Sequence, residues 1–147
     1  SAAAILNTMS QVLGGAVASI PGGIVRVVSS DDPALSTGPH QDANYIEGTP
    51  SLWTAWLPLT DCPLRRGPIA LLAGSHRDGL RPHVGVDLGQ ASVEVSPDAL
   101  WSSGPMKSGD VLLFHGLTVH TSLPNRSGRL RLSADFRYHL PRHGEDG

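Results

Sequence analysis

The sequence predicts a mainly β domain, an antiparallel sandwich or jelly roll preceded by one short N-terminal helix. Three observations predict it. From Pro21 onward the apolar residues come in short or alternating runs, the rhythm of strands rather than of helices. Twelve prolines and seventeen glycines are spread among those runs, with no repeat and no long linker. The 147 residues, 39% of them apolar, suffice for one hydrophobic core and are too few for two.

The helix comes first. Ile5, Leu6, Met9, Val12 and Leu13 recur three and four residues apart, and Gly14-Gly15 follows as a stop signal. It is expected to be the only substantial helix. Strands are expected at Ile24 to Val28, Leu52 to Leu59, Ile69 to Leu72, Val93 to Val95, Val111 to Phe114 and Leu130 to Tyr138. The last run alternates most clearly. Leu130, Leu132, Ala134, Phe136 and Tyr138 fall on one face, and Arg129, Arg131, Ser133, Asp135 and Arg137 on the other. A strand with one polar face suits a barrel that lines a site. The stretch from Asp78 to Ser108 is the least patterned and reads as loop-rich.

Composition removes several classes of partner. Eleven Lys and Arg against thirteen Asp and Glu give a net charge of -2, too little field to draw in nucleic acid or an anionic membrane. Arginines 126, 129, 131, 137 and 142 are interspersed with Asp135, and Phe136 and Tyr138 fall on the opposite face of the strand, so no aromatics interleave on the arginine face as they would on a nucleic-acid surface. The expected partner is a small molecule, and the oligomeric state stays open. The run from Ser1 to Ile20 has no basic flank and is broken by Gly14, Gly15 and Pro21, so it reads as neither signal nor membrane anchor. One cysteine, Cys62, cannot form an internal disulfide, which fits a reducing compartment, the cytoplasm by default. Without a starting Met the chain is processed, truncated or a fragment. The expected unit is a single domain over 1–147, with an N-terminal truncation left open.

Chemistry enters with His40-Gln41-Asp42. A His and a carboxylate two residues apart leave the same face of an extended backbone and can share one metal. His76-Arg77-Asp78 and His143-Gly144-Glu145 imitate that spacing, so spacing alone does not choose among them. The choice comes from downstream. Gly109-Asp110-Val111-Leu112-Leu113-Phe114 reads as a turn entering a buried strand, and His120 follows it, then Thr121-Ser122, Asn125 and the arginine-bearing strand. Two His and one carboxylate from separate segments make a facial triad that leaves positions open on an iron(II) ion. His115, at the end of the same strand, is the rival third ligand. Arg131 offers a guanidinium fork of the kind that grips the distal carboxylate of 2-oxoglutarate through two parallel hydrogen bonds, and Thr121 or Ser122 could add a hydroxyl donor.

Taken in order, five segments resemble the phytanoyl-CoA dioxygenase family: His40 through Tyr45, Thr54 through Asp61, Gly67 through His76, Gly109 through Phe114, and His120 through Arg131. They span roughly Pro39 to Tyr138, about two-thirds of the chain. The resemblance implies a double-stranded β-helix (a jelly roll, a cupin-like barrel), with His40, Asp42 and His120 as iron(II) ligands and Arg131 as the 2-oxoglutarate clamp. Family spacing favours Arg131 over Arg129, its neighbour on the same face. Trp56 and Ser122 match positions that line the cosubstrate pocket, although a strand tryptophan is as readily a core residue. Tyr45 sits where members place an aromatic near the iron, with a role that varies. The reaction implied consumes 2-oxoglutarate and molecular oxygen, hydroxylates a small organic substrate, and releases succinate and carbon dioxide. The presence of Asp42 implies hydroxylation rather than halogenation. The chain is short for this family, and the members' upstream polar contact to 2-oxoglutarate cannot be located in it. Two other readings of the same residues are a catalytically inactive metal-binding jelly roll and a zinc-using cupin-like enzyme.

Overall fold

The computed structural model describes residues 2–31, 37–46, 49, 51–87 and 90–141. Helix α1 (Ala2–Leu13) is the only α-helix among them, and it stops at Gly14, which takes a positive φ of 73°. Nine strands follow: β1 (Ala18–Val28), β2 (Trp53–Pro58), β3 (Ile69–Leu72), β4 (His83–Asp87), β5 (Gln90–Val93), β6 (Trp101–Ser102), β7 (Leu112–His115), β8 (His120–Ser122) and β9 (Arg131–His139). All the pairings are antiparallel. They build a four-stranded sheet in the order β1-β9-β2-β7, a three-stranded sheet in the order β6-β3-β8, and the hairpin β4-β5. This is the mainly β, antiparallel architecture that the patterning predicted, in the jelly-roll form that the resemblance implied. No helix among the described residues is long and apolar enough to cross a membrane.

Alternation along β2 creates two cores. Trp53, Ala55 and Leu57 point outward, where Ile5, Leu6, Met9 and Leu13 of α1 cover them together with Tyr138 of β9. Trp56 points inward, against Ile69 of the smaller sheet, Phe114 of β7 and Cys62. The amphipathic helix therefore seals the outer face of the large sheet, and the inner face is left to meet the small sheet. Strand β9 inverts the usual pattern. Its polar residues Arg131, Ser133, Asp135 and Arg137 face inward and are 0%, 0%, 3% and 9% exposed. A buried polar face is tolerable only where its groups find partners, which places the site there.

Several boundaries differ from those expected. Strand β1 begins at Ala18, six residues early, because the Pro21-Gly22-Gly23 interruption is absorbed as a register irregularity between Ile20 and Ile24. The stretch expected to be loop-rich holds β4, β5 and β6, and the expected strand at Val93 to Val95 lies instead at Gln90–Val93. Strand β8 was not expected, being three polar residues long. Strand β9 starts at Arg131, so Arg129 lies in the preceding loop and is exposed. Its carbonyl is bound by Asn125 Nδ2 at 2.7 Å.

One glycine holds the small sheet in place. Gly67 has a φ of 73°, and a Cβ there would lie 2.2 Å from the Leu123 carbonyl oxygen. Gly67→Ala incurs a left-handed backbone cost of roughly 1–2 kcal/mol before the clash is counted. At about 2–4 °C per kcal/mol, a thermal melt is expected to lose about 5 °C or more. Gly104→Ala is the control, since a Cβ there meets nothing within 4 Å, and its midpoint is expected to stay put.

Candidate metal centre

The centre begins with a main-chain bridge. His40 and His120 donate to each other's carbonyl across antiparallel backbones, both at 3.0 Å. The two imidazoles are thereby held with their centroids 4.1 Å apart. After Gln41 the chain enters a short 3-10 turn, Asp42–Asn44, which returns the Asp42 carboxylate to the same side. Asp42 Oδ1 lies 3.8 Å from Nε2 of each histidine. One ligand atom from each of the three buried residues falls within 4.8 Å of the others. The described residues contain no second group of three potential metal donors like it.

The protonation state suits a metal. Nδ1 of His40 meets the Gly38 carbonyl at 2.8 Å, and Nδ1 of His120 meets that of Thr118 at 3.0 Å. A carbonyl only accepts, so each proton sits on Nδ1 and each Nε2 lone pair faces Asp42. Burial holds His40 below its ordinary pKa, despite the Gly38 carbonyl and Asp42. Burial, assisted by neighbouring His40, takes His120 down to about 4. Both rings are therefore neutral near pH 7, the form that binds a metal. For Asp42, burial would raise the pKa. His120, Arg137 and the hydrogen bonds from Thr54 and Arg137 outweigh it and hold the carboxyl at about 2.

A second ring of contacts fixes that carboxylate. Thr54 Oγ1 donates to Oδ2 at 2.5 Å, while Arg137 donates from Nη2 to Oδ1 at 3.2 Å and from Nε to Oδ2 at 3.3 Å. Arg137 also pairs with Asp135 at 2.6 Å, and Arg26 of β1 reaches Asp135 at 3.2 Å. Register explains the meeting. Thr54 sits opposite Arg137 and Trp56 opposite Asp135 in the β2-β9 ladder. Sequence reading placed Arg137 and Asp135 on the polar face of β9 but missed their link to Asp42. The alternation of Thr54 and Trp56 along β2 was the available signal. Gln41, fully buried between the two ligands, donates to the Gly79 and Leu117 carbonyls and accepts from the Arg81 amide, fastening the segment from behind.

The other candidate residues separate cleanly. Arg131 is fully buried, donates to the Gly67 carbonyl and, at 3.1 Å, to Ser122 Oγ, and keeps one buried Nε–H without a partner. Burial lowers its pKa from the ordinary arginine value, yet the group stays a cation. Trp56 and Ser122 line the narrow chamber at the triad, with Thr37, Ile69 and Phe114. Trp56 is thus core and chamber wall at once. Thr121 alternates away on β8 and gives its hydroxyl to the Thr37 carbonyl at 2.9 Å. His115 is half-buried beside Trp53 and His76, and its Nδ1 accepts from the Leu117 amide, outside the triad. His76 and Asp78 lie in an exposed turn, and Asp78 pairs with Arg81. His143-Gly144-Glu145 falls outside the described residues. Tyr45 is half-exposed, its ring 6.1 Å from that of His40. A second cavity of about 410 Å³ adjoins the triad, floored by His40, Asp42 and Arg137 and walled by Ile20, Pro21, Ile24, Tyr45 and Ile46.

The donor set fits a divalent iron: two neutral imidazoles and one carboxylate on one side, with the chamber on the other. The partnerless Nε–H of Arg131, buried beside the Ser122 hydroxyl, fits a carboxylate-bearing cosubstrate.

Comparison with known proteins agrees. The sequence model of the phytanoyl-CoA dioxygenase (PhyH) family matches residues 4–133. The chain is 37% identical over 120 residues, 74% of its length, to 1-deoxypentalenic acid 11-beta-hydroxylase of Streptomyces arenae, of which it covers 42%. Among solved structures, the apo non-heme monooxygenase ThoJ superposes with a TM-score of 0.79 at 25% identity, over 95% of this chain and 52% of that one. The epimerase SnoN, in complex with Fe3+, alpha ketoglutarate and nogalamycin RO, superposes with a TM-score of 0.71 at 25% identity, over 92% of this chain and 54% of that one. The chain spans about half the length of these proteins, or less.

Proposed function

The chain belongs to the phytanoyl-CoA dioxygenase family, and from that premise we propose that it is an iron(II)- and 2-oxoglutarate-dependent oxygenase that hydroxylates a small organic substrate. The observation that carries the reading is the buried His40, Asp42 and His120 set, three donors within 4.8 Å on a polar inner face. The hydroxylase name of the Streptomyces relative and the Fe3+ and alpha ketoglutarate of the SnoN complex support the same class.

In this proposal His40 and His120 offer their Nε2 lone pairs and Asp42 one carboxylate oxygen to iron(II). Bound there, iron(II) supplies the oxygen activation by which 2-oxoglutarate, O2 and R–H become succinate, CO2 and R–OH. Every other task belongs to the chain. Arg131 holds the distal carboxylate of 2-oxoglutarate with help from Ser122, and Trp56, Ile69 and Phe114 keep water from the chamber. Thr54 and Arg137 hold the Asp42 carboxylate at a fixed angle, so that ligand geometry is set before substrate arrives. Asp42 occupies the place where its loss would admit a halide, which argues for hydroxylation. The single cysteine, Cys62, is a buried thiol and suits a reducing, cytoplasmic setting.

The test is spectroscopic first. Adding iron(II) and 2-oxoglutarate under argon is expected to give the visible charge-transfer band of the chelate, and admitting oxygen is expected to give succinate in proportion to the protein. Zinc binding with neither band nor succinate would overturn the proposal in favour of a zinc-site protein.

A further inference from the structure

We infer that His83, on the first strand of the β4-β5 hairpin, is a positioning residue for the metal centre: its imidazole stands in for a main-chain carbonyl and locks the peptide unit between the ligand His40 and Gln41. The inference rests on the proposed function only in treating His40, Asp42 and His120 as a metal site, and not on the reaction carried out there.

The main chain around His40 is held from two sides. On one side it meets β8, through the reciprocal hydrogen bonds of residues 40 and 120, both at 3.0 Å. Neighbouring residues of an extended backbone present their amides and carbonyls in opposite directions, so Pro39 and Gln41 turn theirs to the other side. There they meet one rung of the hairpin, in which His83 stands opposite Val93. The Val93 amide donates to the Pro39 carbonyl at 2.7 Å. The Gln41 amide donates to Nε2 of His83 at 3.0 Å.

Both peptide planes that flank His40 are therefore gripped at each end. In the plane between Pro39 and His40, the carbonyl is held by Val93 and the amide by the His120 carbonyl. In the plane between His40 and Gln41, the carbonyl accepts from the His120 amide and the amide donates to His83. A planar unit held at its oxygen and at its nitrogen cannot rotate about the chain. Rotation of the second plane would change ψ of His40 and φ of Gln41, and so swing the His40 ring away from the Asp42 carboxylate. Three of the four partners are main-chain groups, which a side-chain replacement leaves in place. His83 is the one side chain among them.

Its tautomer is built in. Nδ1 of His83 meets the Arg81 carbonyl at 2.9 Å, and a carbonyl only accepts, so the proton sits on Nδ1 and the Nε2 lone pair is left to the Gln41 amide. The residues before it serve the same grip. The Gly79 carbonyl and the Arg81 amide hold the Gln41 carboxamide at 2.9 Å and 2.8 Å, so residues 79–83 secure Gln41 by side chain and main chain together. Gln41 is fully buried, and without the imidazole its amide would lose the acceptor it has here. His83 is not itself among the three donors that lie within 4.8 Å of one another.

The first measurement needs no variant. In nitrogen-15-labelled, metal-free protein at neutral pH, long-range proton–nitrogen correlation is expected to show His83 protonated on Nδ1 alone, with a coupling through the hydrogen bond from Nε2 to the Gln41 amide nitrogen. A proton on Nε2 would overturn the inference. The second measurement is affinity for cobalt(II), titrated by its visible absorption. His83→Gln carries a carboxamide oxygen to the place of Nε2, whereas His83→Asn, one methylene shorter, stops near the place of Nδ1. His83→Asn and His83→Leu are expected to bind cobalt(II) about tenfold more weakly than wild type, and His83→Gln to stay within about threefold. His76→Gln, in the exposed turn, is expected to bind as wild type does. A histidine that serves stability alone would lower the melting temperature of the Asn and Leu variants and leave their cobalt(II) affinity unchanged. That result, or a Gln variant that binds no better than the Asn variant, would also overturn the inference, and the Asn and Gln pair decides it even if His83→Leu does not fold. Cobalt(II) binding needs neither 2-oxoglutarate nor oxygen, so a missing chelate band would sink the proposed function while the tautomer and these affinities still decide the role of His83.

Discussion

Asp42→Ala is expected to weaken iron binding by at least about a hundredfold and to abolish both the chelate band and succinate formation. The effect should be double, because Asp42 carries two loads. As a donor it is one of three, and its loss leaves two imidazoles, a set with little hold on iron(II). As an anion it also compensates Arg137, which is 9% exposed and touches both carboxylate oxygens. Asp135 remains to share that guanidinium, so the expected stability loss is about 2–3 kcal/mol, less than for a fully stranded buried charge. A thermal melt should fall by about 5–10 °C. Asp42→Asn separates the loads: it keeps an acceptor for Thr54 and should melt closer to wild type while still failing to hold iron. Asp78→Ala, in the imitating His76-Arg77-Asp78 turn, should change neither readout measurably, since its pair with Arg81 is exposed. Iron loss in Asp78→Ala would mean that the wrong His-x-Asp had been chosen.

Arg131→Met is expected to raise the KM for 2-oxoglutarate by about a hundredfold while changing kcat far less, the mark of a residue that holds the cosubstrate away from the reacting atoms. Methionine nearly matches the buried stem in volume. It leaves the Gly67 carbonyl without this donor and takes one donor from the Ser122 hydroxyl, which Thr37 Oγ1 still reaches at 3.3 Å, a penalty of about 1–3 kcal/mol. Arg131→Lys keeps the charge but not the fork and should recover stability before it recovers KM. Anaerobic titration of the chelate band with 2-oxoglutarate reads the first effect and a thermal melt the second. A variant that melts early yet shows an unchanged KM would assign Arg131 to scaffolding alone.

What the sequence made legible follows from range. The period of α1, the apolar run of β3 and the alternation of β9 are set within a few residues, and all three stand where their patterns put them. Strand β8 was illegible because His120-Thr121-Ser122 carries no hydrophobic signal. It is a strand only because β3 lies beside it. The first half of β1 was hidden by Pro21-Gly22-Gly23, tolerated at a sheet edge that needs no second partner. In the site, His40, Asp42 and His120 could be named from spacing and motif order. Thr54, Arg137, Asp135 and Arg26 could not, because their meeting depends on the register of β1, β9 and β2, which no single segment encodes. Arg129 and Arg131 show the same limit: alternation put both on one face, family spacing favoured Arg131, and the point where pairing begins places Arg129 outside the strand.

The reciprocal main-chain pair between residues 40 and 120 has a kinetic meaning. Seventy-nine residues of chain lie between two rings that move as one body, because neither backbone can drift without releasing both hydrogen bonds together. Where opening limits exchange, their two amide protons should therefore exchange with solvent at one common rate, set by a single opening event. That rate measures how often the half-built metal socket comes apart, and it can be read with no metal present.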